Sequence, residues 1–94
     1  MEIASFQQVV RDTYYDRDAE RGVDGTFRWF TEEVGEVARA LRGDGALEHE
    51  FGDVLAWLAS LASLLGVSLE DAAARYANGC PRCGAKPCSC AFVR

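Results

Sequence analysis

Five carboxylates crowd two short stretches of the chain: Glu32, Glu33 and Glu36 in "EEVGE", and Glu50 and Asp53 in "EFGD". Glu33 and Glu36 are three residues apart, as are Glu50 and Asp53, and residues at i and i+3 share a helix face. If the two stretches fold back as an antiparallel hairpin about Gly43, residues i and 86 − i lie at one height. Glu33 then faces Asp53 and Glu36 faces Glu50, to within a residue of register. Like charges so placed repel unless cations bind between them. Hard divalent ions with oxygen ligands, Mg²⁺ or Mn²⁺, suit such a set. The competing reading is a solvated acidic face. Against it, the four lie beside the apolar stripe rather than opposite it, and Gly35 and Gly52 sit among them. Glycine in mid-helix costs stability, and these two are read as letting the helices or a ligand come close.

A second donor set closes the chain. Cys80, Cys83, Cys88 and Cys90 form C-x₂-C-x₄-C-x-C, with "CPRCG" shaped like a zinc knuckle. Four thiolates suit a tetrahedral Zn²⁺ and leave no open position, so the site is expected to be structural. Disulfides are the alternative. The N-terminus, "MEIASFQQVV", lacks a basic region followed by a long apolar core, so no secretory signal is read and a cytoplasmic protein is expected.

The elements that must position these groups are helical. Ile3, Phe6, Val10 and Thr13 or Tyr14 predict a first helix over 3–17, and "DRDAERGVDG" reads as a polar loop. Phe27, Phe30, Val34, Val37 and Leu41 mark a second helix over 26–42. Leu47, Phe51, Val54, Leu58, Leu61 and Leu65 mark a third over 46–65, and Ser68 with Asp71 resembles a capping box opening a fourth over 69–78. The expected fold is all-α: an antiparallel bundle of about four helices over 1–78, with a Cys-rich tail over 79–94. After Asp53 the third helix is apolar nearly all round, and four short helices in one chain cannot easily enclose it. A partner subunit is expected to supply the missing wall. "VLAWLASLASLLGVSL" is too short for a confident membrane span. The net charge of −5 disfavours general nucleic-acid binding. It is uneven: residues 1–71 hold all fifteen acids against six Arg, whereas residues 72–94 hold three Arg and Lys86 with no acid.

"EEVGE" followed after thirteen residues by "EFGD" resembles the E-E-x-x-E…E-x-x-D motif of the MazG-like nucleoside triphosphate pyrophosphohydrolases. "GVSLEDAAARYANG" is similar to that family's last helix. The resemblance implies an all-α bundle, a homodimer or homotetramer, and Mg²⁺-dependent hydrolysis of (d)NTP to (d)NMP and pyrophosphate. It implies that Glu33, Glu36, Glu50 and Asp53 hold the metal. Glu32 matches the first acid of the motif. It points about 100° round the helix from Glu33, where it could orient or deprotonate the attacking water, or remain a surface acid. The family places basic residues and an Asn in and beyond the last helix to hold the triphosphate, which here implies Arg75, Asn78, Arg82 and Lys86. Trp29 and Trp57 also lie at one height, each one turn from an acid, and could hold a base or pack as core. His49 falls off the ligand rows. The reading from another class is a non-catalytic bundle whose knuckle docks on protein or nucleic acid; the intact set of acids favours the enzyme.

Overall fold

The computed structural model describes residues 1–91, so the last three residues of the expected 79–94 tail lie outside the described residues. The described residues contain helices and no strand: α1 (Ile3–Leu41), α2 (Leu47–Leu64) and α3 (Leu69–Ala74). The fold is all-α, as the periodicities predict, but its first half differs from the expected helix–loop–helix. The polar segment 16–25 is helical on both sides of a single break at Gly22, whose φ of 86° and ψ of 171° no helical residue adopts. Glycine reaches that left-handed φ without steric cost. α1 is thus two arms, 3–21 and 23–41, joined at one residue, and the four expected helical segments survive in altered form.

Most tertiary contact is between α1 and α2. The core is thin and made of small side chains: Val10 and Ala40 of α1 are buried with Ala59 and Ala62 of α2. Alanine lets the helix axes come close but removes little apolar area from water, so larger residues are left outside. Polar side chains tie the N-terminal arm down. The Gln7 side-chain amide donates to Ser63 Oγ (3.2 Å) and to the Val67 carbonyl (2.9 Å). Its oxygen accepts from the Leu69 N–H (2.8 Å). One glutamine thereby pins the α2–α3 turn, satisfying backbone groups that a helix end leaves without partners.

α3 starts as the Ser68–Asp71 spacing predicts, with Ser68 Oγ accepting from the Asp71 N–H at 3.1 Å. It stops at Ala74, short of the expected 78, because Tyr76 and Ala77 bond three residues back rather than four. Gly79 then turns the chain into the tail with φ 110°. A Cβ there would lie 2.8 Å from the Ala85 carbonyl oxygen, so no other residue fits. No helix among the described residues is long and apolar enough to cross a membrane.

Candidate functional site

The antiparallel packing of the 23–41 arm on α2 brings Glu33, Glu50 and Asp53 together, with one carboxylate oxygen of each within 4.8 Å of the others. Glu33 and Glu50 are half-buried and Asp53 is exposed. The Glu33 carboxyl is pushed above its ordinary value of 4.5, first by partial burial, then by the negative charges of Asp53, Glu50, Glu36 and Glu32. Three oxygen donors this close, one of them resisting ionisation, fit a hard divalent cation. Glu36 stands outside the group of three: its carboxylate takes both oxygens to Arg39 Nη1 at 3.3 and 3.1 Å. Glu32 is exposed on the neighbouring face. Gly35 and Gly52 do not mark close helix contact, since a Cβ on either meets nothing within 4 Å. His49 is exposed.

The raised Glu33 value carries a sign for stability. A folded-state value above the unfolded one favours the protonated fold, so that contribution is present below about pH 4.5 and is lost as pH rises through the folded value. Relative to Glu33→Gln, metal-free wild type is therefore expected to lose thermal stability on going from below pH 4.5 toward neutrality, and Mg²⁺ or Mn²⁺ is expected to reverse that difference. Glu33→Gln should flatten this part of the pH profile. Melting curves across pH, with and without metal, check it; an equal slope in Glu33→Gln would contradict the assignment.

Beside the carboxylates, Trp29 stacks on Trp57 with ring centroids 5.8 Å apart and planes within 13°. Trp29 remains 46% exposed. The Arg21 guanidinium lies over the Trp57 ring, 4.8 Å from its centroid. Arg21 Nη1 also donates to Asp18 Oδ1 (2.8 Å) and Thr26 Oγ1 (3.3 Å). Asp18 is only 3% exposed and Thr26 is fully buried. Sequence reasoning missed this trio because Asp18 and Arg21 fall in the stretch read as a polar loop and Thr26 directly follows it. The available signal was Asp18 three residues before Arg21, an i,i+3 ion pair that belongs to a helix.

The tail gathers its four thiols. All four Sγ atoms lie within 4.8 Å of one another, with Cys80–Cys90 at 3.7 Å and Cys83–Cys88 at 4.0 Å. Tetrahedral Zn–S bonds of about 2.3 Å put sulfurs roughly 3.8 Å apart, so the donor set fits zinc. None is in a disulfide. The Ser89 N–H donates to Cys83 Sγ at 3.3 Å and leads the effects that lower the Cys83 thiol to about 6. Cys90 is pushed up to about 12, first by its hydrogen bond with Cys88. Gly84 N–H donates to the Cys80 carbonyl at 2.7 Å and closes the CPRCG turn. Arg75, Arg82 and Lys86 line a cavity of about 770 Å³ against Cys80, Cys88 and Cys90. Asn78 is exposed and off that wall, and none of the five carboxylates reaches it.

A search among curated proteins finds no match to the chain. The family described as MazG nucleotide pyrophosphohydrolase domain matches residues 21–82, which span both helix pairs of acids and end inside the Cys-rich tail. With two thirds of its length under that match and its acids gathered on facing helices, the chain belongs to the MazG nucleotide pyrophosphohydrolase family.

Proposed function

We propose that the protein is a divalent-metal-dependent pyrophosphohydrolase that converts (d)NTP to (d)NMP and pyrophosphate, with house-cleaning of non-canonical nucleotides as its use. The observation that carries this reading is the approach of Glu33, Glu50 and Asp53 to within 4.8 Å. These three would hold Mg²⁺ or Mn²⁺, and Glu36 would join them once Arg39 lets go. The bound metal supplies positive charge that neutralises the triphosphate and stabilises charge during attack at the α-phosphorus. Glu32, exposed and adjacent in sequence to Glu33, takes the proton of the attacking water while pyrophosphate departs. The exposed ring of Trp29, backed by Trp57, offers a stacking surface for the base. Arg75, Arg82 and Lys86 line the tail cavity, which shares no residue with the carboxylate cluster within one chain, so they and Asn78 are assigned a phosphate contact made only where a second copy of the chain brings its tail to the carboxylates, at the α-phosphate end.

The direct test is pyrophosphate release in Mg²⁺ or Mn²⁺ from a panel of canonical and damaged nucleoside triphosphates. Release of pyrophosphate, rather than orthophosphate, from at least one of them is expected. Absence of release from all of them would sink the reading.

The tail is proposed to be a structural zinc site over residues 79–94, outside a catalytic body of residues 1–78. Purified protein should hold about one zinc per chain. Thiolates are poor Mg²⁺ ligands and carboxylates prefer hard ions, so the two sites should not exchange metals. Zinc removal is expected to raise hydrogen exchange beyond residue 79 while the helical circular dichroism persists, since Gln7 and the alanine core lie outside the tail. Four titratable thiols with no zinc in protein purified without chelator would refute the site.

A further inference from the structure

Arg17 and Arg21 stand one turn apart on the 3–21 arm, a spacing that puts both on one face. Both line a cavity of about 270 Å³ to which α2 contributes Asp53, Trp57 and Ser60. Asp53 therefore belongs at once to the carboxylate cluster and to this cavity. The two arginines are held differently. Arg21 is built in: Asp18 and Thr26 fix its Nη1, Trp57 lies under its guanidinium, and a Cβ on Gly25 would come within 2.7 Å of its Cγ. Its charge is balanced by buried Asp18. Arg17 is exposed and has no ion-pair or hydrogen-bond partner among the described residues. The cavity wall thus carries two guanidinium groups and two carboxylates, Asp18 and Asp53, and Arg17 is the guanidinium on it outside any ion pair among the described residues, beside the carboxylate cluster that Asp53 shares.

We propose that this cavity is the subsite for the departing pyrophosphate, with Arg17 its direct contact and Arg21 a positioning residue that holds the Trp57 wall. The inference rests on the pyrophosphohydrolase reading and extends it to where the leaving group sits. A guanidinium matches two phosphate oxygens at once, in a geometry that an ammonium cannot copy. A cation held by Asp53 on one side and Arg17 on the other would bracket an anion between them. The base belongs elsewhere, since the exposed ring of Trp29 is not part of this cavity wall.

The test is calorimetric titration of Mg²⁺ alone, then of pyrophosphate and of a nucleoside monophosphate in Mg²⁺, into wild type, Arg17→Gln and Arg17→Lys. Arg17→Gln should weaken pyrophosphate about tenfold or more, the scale of one charge-assisted contact. It should leave Mg²⁺ and monophosphate affinity unchanged, and Arg17→Lys should recover part of the loss. Arg17 is exposed, so neither change threatens the fold. Unchanged pyrophosphate affinity in Arg17→Gln would overturn the subsite even if turnover and Mg²⁺ binding remain normal. A loss confined to the monophosphate would place the nucleoside end there and overturn it equally. Failure of Mg²⁺ to bind wild type at all would instead fall on the carboxylate reading, and on this proposal with it. For Arg21, Asp18→Asn with Arg21→Met leaves no lone buried charge. It should alter the near-ultraviolet circular dichroism of the tryptophan pair and weaken pyrophosphate. An unaltered spectrum would remove its positioning role.

Discussion

Asp53→Asn is expected to lower metal-dependent pyrophosphate release by at least about a thousandfold, the range seen when an enzyme loses a group that stabilises transition-state charge. Asp53 is the acid common to the three-carboxylate cluster and the cavity beside it. Its amide keeps the shape but offers a weaker, neutral ligand. Metal-free stability should hold or rise, because the substitution removes the leading like-charge neighbour of Glu33. Glu36→Gln is expected to act through the same metal but less severely, since Glu36 lies outside the cluster and is already paired with Arg39. Steady-state pyrophosphate release and a melting curve for each variant decide the matter. A fully active Asp53→Asn enzyme would remove the assigned site.

Leu58→Glu is expected to convert an assembly into monomers. α2 and its C-cap Leu65 leave Leu47, Phe51, Leu55, Leu58 and Leu65 exposed along one stripe at helical spacing, with Phe51 at 60% and Leu55 at 47%. The 23–41 arm adds Val23, Phe27, Val34 and Leu41, also exposed. Rows of large apolar side chains left exposed on two helices that pack together point to an interaction surface, and a second copy of the chain is the occupant we propose. Leu58 is chosen over half-buried Leu61 because Glu at Leu61 would also disturb the monomer's own packing. In a two-fold interface each substitution acts twice. Losing about 2 kcal/mol of apolar burial at each of two sites gives roughly 4 kcal/mol, about a thousandfold in dissociation constant, before the cost of burying charge. Sedimentation of both proteins at micromolar concentration is the check. A wild-type monomer would contradict the proposal.

The all-helical class and the gathering of acids followed from the sequence alone. Spacing at i and i+3 places acids on one helix face whatever the tertiary context, and a hairpin about a glycine turn leaves one free parameter, the register. That register puts Glu33 beside Asp53 and Trp29 on Trp57. Cysteine spacing likewise confines four thiols to one short loop, where the chain has little choice but to bring them near each other.

Tertiary structure decided what composition disguised. "DRDAERGVDG" has the polarity of a loop, yet Asp18 within it and Thr26 just after it are buried and Arg21 satisfies both, so the segment stays helical to within one glycine. Burial of a charge is permitted by a partner in space, and a one-dimensional polarity pattern does not register that partner. Glu36 leaves the carboxylate group for the same kind of reason. Arg39 stands one turn away and offers a countercharge that the spacing of acids alone does not weigh. Which apolar residues face the core and which face outward was also settled only by packing, because α2 is apolar on several sides and it is the small residues Ala59, Ser60 and Ala62 that admit the neighbouring helix.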